Sequence, residues 1–279
     1  MFKIVATEVL TPNSKLFKVS APQIARKAKA GQFVVIRINE TGERIPLTIA
    51  DKDPSEGTIT IVVQAIGKTS RKILELNAGD WLADVVGPLG LPTEIEKYGT
   101  VVCVGGGVGM AAIFPIAQAL KEAGNKIIAV IGARNEGLLL WEDRMREVAD
   151  EIFITTDDGS KGRKGIIIDA LKDVLTDGRK VDLVVGIGPV VMMRAVSNIT
   201  QPLGVKTRVS LNPIMIDGTG MCGGCRVTVN GEPRFVCVHG PDFDAHQVNW
   251  EELMARLTTY QTEEKAALEK YQCESCKSA

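Results

Sequence analysis

Residues 101–120, VVCVGGGVGMAAIFPIAQAL, carry no charge over a length that could cross a bilayer. Their internal order argues against a span. β-Branched residues come first, then Gly105, Gly106, Gly107 and Gly109, then an apolar segment that contains Pro115. A strand, a glycine turn and a buried helix account for that order. A turn of this kind puts backbone N–H groups and the positive end of a helix dipole where a pyrophosphate can bind. It also serves tight packing of helix on strand, so both uses stay open.

Downstream of this unit the same rhythm repeats. KIIAVIGA reads as a strand, GLLLWEDRMREVA as a helix, EIFITTDD as a strand and GIIIDALKDVL as a helix. KVDLVVGIG, a helix from Pro189 and the strand VKTRVSLN complete the series. Such alternation predicts a parallel sheet with helices on both faces. Upstream, FKIVATEVL, LFKVSA, GQFVVIRI, GTITIVVQAI and DWLADVVGP are short β-rich runs, broken by one helical stretch at residues 70–76. They predict a small antiparallel barrel. The expected division is a barrel over residues 1–98, an α/β nucleotide-binding domain over 99–210, and a small C-terminal domain over 211–279. The last contains a hairpin turning at Asn230-Gly231 and a charged helix over residues 250–271.

The C-terminal domain carries the most specific chemistry. Asp217-Gly-Thr-Gly-Met-Cys222-Gly-Gly-Cys225, with Cys237 after a short strand-like stretch, has the plant-type [2Fe–2S] spacing C-x4-C-x2-C…C with Asp in first place. The glycines let the loop bend sharply and bring amides to sulfide. Cys222, Cys225, Cys237 and His239 could alternatively hold structural zinc, or the loop could be a glycine-rich turn with unliganded thiols.

Other candidates are weaker. Asp157-Asp158, at the end of a strand, suits ribose hydroxyls and repels a 2′-phosphate, so NAD(H) is favoured over NADP(H). Lys161, Arg163 and Lys164 follow closely and could hold that phosphate. Gly188-Pro189 ends another strand where a nicotinamide could approach, with Met192 and Met193 beyond it. Arg44-Ile45-Pro46-Leu47-Thr48 and Gly67-Lys68-Thr69-Ser70 are candidate anion and flat-cofactor sites in the barrel. Cys103 reads as a small core hydrophobe, and Cys273 and Cys276 as tail residues without function. No acid or hydroxyl partner is expected for His239 or His246, so a histidine-based hydrolase is not supported.

The 279 residues are 45% apolar, with a formal net charge of −1 and six cysteines. That charge argues against nucleic acid or an anionic membrane as partner. The clustered cysteines fit a reducing, cytoplasmic setting better than a disulfide framework. The N-terminus lacks the apolar run of a signal peptide.

Taken in order, R-x-P-L-T, VGGGVG, GxGPxxMM and the cysteine loop resemble the flavin- and iron–sulfur-containing members of the ferredoxin reductase superfamily. Three subfamilies share the plan: the electron-transfer subunit of dihydroorotate dehydrogenase, the NAD(P)-reactive subunit of cytoplasmic hydrogenases, and the small subunit of NADH-dependent reduced ferredoxin:NADP oxidoreductase, also called sulfide dehydrogenase beta subunit. Asp at position 217 is similar to the third. The resemblance implies that Arg44, Pro46, Leu47 and Thr48 line an FAD, with Gly67, Lys68, Thr69 and Ser70 on its pyrophosphate. It implies that Gly105, Gly106, Gly107, Val108, Gly109, Asp157, Asp158, Gly188 and Pro189 serve NAD(H) as substrate. Asp217, Cys222, Cys225 and Cys237 would hold a [2Fe–2S] cluster. No catalytic acid or base is implied. The implied setting is a heterodimer with a larger glutamate-synthase-like flavin and iron–sulfur subunit, which carries the bifurcating flavin and reaches ferredoxin. A zinc-stabilised nucleotide-binding redox sensor is the non-enzyme alternative.

Overall fold

The computed structural model describes residues 1–277, with side chains to residue 273. The first part is β1 (Phe2–Thr11), β2 (Ser14–Ser20), α1 (Pro22–Lys27), β3 (Phe33–Arg37), β4 (Ile45–Thr48), β5 (Asp51–Asp53), β6 (Thr58–Gln64), α2 (Lys68–Glu75), β7 (Trp81–Leu82) and β8 (Asp84–Leu89). Two antiparallel sheets, β5-β6-β2-β1-β7 and β4-β3-β8, form the barrel. They close on Ile4, Phe17, Ile36, Ile59 and Ile61, all essentially without exposed surface. The two faces of β6 are used differently. Ile59, Ile61 and Val63 fill the barrel, while Val62 points the other way into the neighbouring core with Ala50. Alternation along one strand therefore joins the two halves of the molecule.

The second part is β9 (Thr100–Gly106), α3 (Gly109–Glu122), β10 (Lys126–Ala133), α4 (Glu142–Val148), β11 (Glu151–Thr156), β12 (Arg163–Lys164), α5 (Ile167–Thr176), β13 (Leu183–Ile187), α6 (Val190–Thr200) and β14 (Thr207–Ser210). Then follow β15 (Arg226–Val229), β16 (Glu232–Phe235), α7 (Val236–His239), β17 (Asp242–Asp244), α8 (Trp250–Leu257) and α9 (Gln261–Lys277). The large sheet runs β12-β11-β10-β9-β13-β14-β17, parallel except for its last pair. Its strand order reverses between β9 and β13, the position at which open α/β sheets bind ligands. Val101 and Cys103 face one helical layer, Val102 and Val104 the other. The structure is an antiparallel barrel joined to an open α/β sheet, with a C-terminal segment that carries the cysteine loop. Among the described residues no helix is long and apolar enough to cross a membrane.

Three local expectations change. GLLLWEDRMREVA is not one helix: Glu136–Leu138 is a 3-10 turn, Trp141 sits in the left-handed region at φ 53°, and α4 starts only at Glu142. Leu138 and Leu140, within the stretch read as helix, line a cleft instead. The charged helix over 250–271 is divided into α8 and α9. Thr258 and Thr259 break it, since their hydroxyls donate to Ala255 O and Arg256 O at 2.8 and 2.7 Å. Finally, the parallel sheet carries an antiparallel edge. β17 pairs Asp242 with Ser210 and Asp244 with Arg208, so residues beyond the cysteine loop complete the nucleotide-binding sheet.

Asp242 stands where barrel, sheet and C-terminal segment meet. Thr93 donates to its Oδ2, while Oδ1 is buried with no partner. Burial pushes its carboxyl above the usual aspartate range. The folded state therefore holds the proton longer than the unfolded chain, and stability falls as pH rises from the ordinary aspartate range through the raised value. Asp242→Asn is expected to raise stability at neutral pH by about 1–2 kcal/mol, or roughly 2–5 °C in Tm. The gain should disappear below the ordinary aspartate range. Thermal melts at both pH values check this, and a lower neutral-pH Tm for the variant would contradict it.

Candidate functional site

A cleft of about 960 Å³ opens where the barrel meets the carboxyl ends of the parallel strands. The barrel contributes Phe33, Pro46, Leu47, Thr48, Val62 and Gln64. The sheet contributes Gly106, Gly107, Val108 and Gly109 from the β9–α3 turn, and Gly188 and Pro189 from the β13–α6 turn. The size and mostly apolar lining suit flat aromatic cofactors. Two turns from strands on either side of the sheet reversal thus face one space. They can do so because α3 begins against the end of β13: a Cβ on Gly109 would lie 2.3 Å from Ile187 O. Gly107 is different. Its φ is 55° and a Cβ there would meet nothing within 4 Å, so the backbone itself forms that part of the wall.

Several expected residues lie elsewhere. Gly105 does not line the cleft; its missing side chain makes room for Met110, whose Sδ would be 2.2 Å from a Cβ. Arg44, Gly67, Lys68, Thr69 and Ser70 are also outside the cleft lining, although Ile66 is within it. The Gly67 N–H is bound by Ser70 Oγ at 3.0 Å, and the Thr69 hydroxyl donates to Glu43. The two methionines divide. Met193 is fully buried in the core, whereas Met192 reaches the cleft. Sequence reading missed Asn13, Gln64, Arg134, Asn212 and Met215, all on the lining. Arg134 follows β10 and Asn212 follows β14, so the rule of strand carboxyl ends could have found them. Asn212 Nδ2 donates to Gly188 O at 3.4 Å.

The acid pair also divides. Asp157 lines the cleft. Asp158 turns into its own loop, accepting from Ser160 N and Oγ at 2.9 and 2.6 Å, and the Ser160 hydroxyl holds its carboxyl below the usual range. Of the cations that could have recognised a 2′-phosphate, Lys164 is exposed and outside the cleft lining, and the other two are engaged. Lys161 pairs with Glu142 at 2.8 Å, and Arg163 pairs with Asp173. This leaves Asp157 as the charged group from that loop facing the cleft.

In the cysteine loop, Cys225 and Cys237 are 2% and 3% exposed, with their Sγ atoms 3.2 Å apart. Cys222 is exposed, and Gly224 N–H donates to its Sγ at 3.4 Å. Cys237 N–H donates to Cys225 Sγ at 3.5 Å. Burial, with the neighbouring Cys225, pushes the Cys237 thiol well up. Asp217 accepts from Thr219 N at 3.0 Å, Met221 N at 3.0 Å and Cys222 N at 2.9 Å. The Thr219 amide leads in holding its carboxyl below the ordinary range. Asp217 thus shapes the loop whose first ligand position it occupies. Gly220 has φ 86°, and a Cβ there would lie 2.7 Å from Val238 Cγ2, so the loop folds tightly over the Cys237 turn. Three sulfurs, two of them accepting N–H, with the Asp217 carboxylate beside them are four donors of the kind a two-iron cluster takes, and the residues fit that group. The zinc alternative needs His239 as its fourth donor. His239 Nδ1 already accepts Phe235 N–H at 2.9 Å.

The remaining candidates are structural. Cys103 is fully buried and its thiol is pushed up to about 12. Cys273 is exposed and free, and the Cys276 side chain lies outside the described residues. His246 does have partners, contrary to expectation. Thr200 Oγ1 lies 2.9 Å from Nε2, and Asp244 Oδ1 lies 4.0 Å from Nδ1. The Thr200 hydroxyl is buried and also bonds Val196 O at 2.9 Å, so it is a packing element and not an accessible nucleophile.

Known proteins match this arrangement throughout. The iron–sulfur cluster binding domain of dihydroorotate dehydrogenase B matches residues 212–249, which include all four expected ligands. A dihydroorotate dehydrogenase B (NAD(+)) electron transfer subunit homolog from Thermotoga maritima is 50% identical over 255 residues, 91% of this chain and 90% of that one. The dihydroorotate dehydrogenase B (NAD(+)) electron transfer subunit of Desulforamulus reducens is 31% identical, over 89% of this chain and 97% of its own. A solved structure of the NADH-dependent reduced ferredoxin-NADP oxidoreductase, studied for flavin-based electron bifurcation, superposes with a TM-score of 0.92 at 46% identity over 98% of each chain. The chain belongs to this family of electron-transfer subunits. Membership makes it an oxidoreductase subunit of a larger complex, working with FAD, a [2Fe–2S] cluster and NAD(H). Identity to the bifurcating enzyme's chain and to the Thermotoga subunit exceeds that to the Desulforamulus subunit by 15 percentage points or more (46 − 31 and 50 − 31).

Proposed function

We propose that this chain is the small, NAD(H)-reactive subunit of a flavin-based electron-bifurcating NADH-dependent reduced ferredoxin:NADP oxidoreductase. Its partner is a larger, glutamate-synthase-like flavin and iron–sulfur subunit in the cytoplasm, through which ferredoxin is reached. The observation that carries the reading is the single cleft shared by Thr48 of the barrel and the turns at Gly107 and Gly188. FAD bound there converts between two-electron hydride chemistry and one-electron transfer, which nicotinamide and an iron–sulfur cluster need on its two sides. Pro46, Leu47 and Thr48 orient the ring system. Gly107 and Gly109 receive a pyrophosphate at the start of α3, and Asp157 receives ribose hydroxyls. Gly188 leaves room for nicotinamide. Asn212 and Met215 stand on the cleft wall in the segment that leads to Asp217, so the cluster loop begins beside the flavin space. Asp217, Cys222, Cys225 and Cys237 hold the cluster.

Anaerobic titration of the isolated subunit tests the nucleotide assignment. NADH should reduce the flavin at least about tenfold faster than NADPH, because Asp157 opposes a 2′-phosphate. Faster reduction by NADPH, or a colourless protein that contains zinc, would overturn the reading.

A further inference from the structure

Between β10 and α4 the chain runs along the cleft through Arg134, Leu138 and Leu140. This segment ends on Trp141, a bulky residue held in the left-handed region at φ 53° and ψ 34°. Such a conformation persists only where surroundings over-determine it. Here the surroundings are specific. The Trp141 ring packs edge-on against Phe114 of α3 with centroids 5.5 Å apart. The Arg144 guanidinium lies 4.3 Å from each of these two rings. Its Nη2 then crosses to the barrel and donates to Asp51 Oδ2 at 2.6 Å. Asp51 opens β5, three residues after Thr48. At the other end the segment is tied to the ribose-facing loop. Glu136 N–H donates to Ser160 Oγ at 2.7 Å, and Lys161 bridges Glu136 and Glu142 at 3.5 and 2.8 Å.

We propose that Arg144 is a positioning residue which, by lying over the Phe114 and Trp141 rings and pairing with Asp51, locks the nucleotide-side wall of the cleft to β5, the barrel strand that begins three residues after Thr48. The proposal rests on the reading of the cleft as the meeting place of NAD(H) and flavin. Its consequence is geometric. Arg144 does not line the cleft. It fixes the separation between the surface that holds the dinucleotide and the surface that holds the ring accepting its hydride. The guanidinium suits this task, since its charge is attracted to both rings while an N–H still reaches a carboxylate. With both groups bound, nicotinamide would give a hydride, two electrons with one proton, to the oxidised flavin, and the cleft walls would set the distance between the two rings. Small misplacement of the two rings lowers that rate steeply while leaving the affinity for nucleotide nearly untouched.

Asp51→Asn and Arg144→Met, made in the full chain loaded with its cofactors, test this with three readouts. These are the dissociation constant for NAD+, the limiting rate of flavin reduction at saturating NADH, and deuterium uptake by the amides of residues 134–141. Both variants should lower the limiting rate by about tenfold and speed exchange in that segment by about tenfold, with the NAD+ dissociation constant within about twofold. Asp51→Glu, which keeps a carboxylate opposite the guanidinium, should recover most of the rate. Unchanged exchange and rate in both variants would overturn the latch. So would a loss confined to the dissociation constant, because Arg144 would then be a binding determinant. A parent protein whose flavin NADH does not reduce would instead overturn the reading of the cleft, and the exchange measurement would still decide whether Asp51 and Arg144 hold the segment.

Discussion

Replacing Cys225 by Ser should remove the visible absorption and the paramagnetic signal of the reduced cluster, while NADH still reduces the flavin. Electron delivery to a one-electron acceptor through the cluster should fall at least about a hundredfold, because an alkoxide is a poor substitute for thiolate at an iron–sulfur site. The expectation rests on geometry. Cys225 and Cys237 form a buried pair 3.2 Å apart, below a loop that folds over them at Gly220. Cys237→Ser should behave alike. Cys103→Ala provides the contrast, since that thiol is buried in β9 within a helix-facing core and should leave cluster content unchanged. Full cluster content and unimpaired electron delivery in both Ser variants would remove these residues from the ligand set.

Gly109→Ala should have the other large effect, on the nucleotide side. The added methyl would meet Ile187 O at 2.3 Å, Ile187 C at 2.8 Å and Gly188 Cα at 3.0 Å. All three are backbone atoms, so no side chain can swing aside. The β9–α3 and β13–α6 turns must move apart, at a cost of about 1–3 kcal/mol. NADH-dependent flavin reduction should drop by about a hundredfold, since the two turns no longer face one space. Gly107→Ala is the useful comparison. Its methyl meets nothing, and it carries only the cost of a left-handed alanine, about 1 kcal/mol. Tm together with NAD+ affinity separates the two, and equal behaviour would show that close approach at Gly109 is not what assembles the site.

The parts of this fold that could be read in advance were those with local causes. In residues 101–120 the strand, the turn and the helix each follow from neighbouring residues, and the membrane alternative fails on four glycines. The Asn230-Gly231 turn is similar, with both residues at positive φ as a tight hairpin requires. What could not be read was decided by distant partners. Leu138 and Leu140 fall in a stretch that reads as helix, but they line the cleft beside Trp141, which is held by Phe114 and Arg144. Three residues are too few for β17 to announce itself, and its existence depends on the free edge of β14. Within the site, Asp157 and Asp158 look equivalent in sequence. Ser160 separates them by drawing one carboxylate into its own turn. Arg134 and Asn212 stand just past strand carboxyl ends, where a rule could have found them, whereas Gln64 belongs to no motif and becomes visible only when the barrel is set against the sheet.

The antiparallel pairing of β14 with β17 governs how the chain can be recombined. The outer rung of the dinucleotide sheet is written in the gene after the cluster ligands. Cutting after residue 210 therefore does not yield a free-standing flavin reductase and a detachable redox plug. It yields a sheet whose last strand offers unpaired backbone donors and acceptors to any other chain in solution. A graft that exchanges this cluster for another has to bring its own closing strand, or retain residues 242–244, so that the replacement electron outlet is also the replacement edge guard.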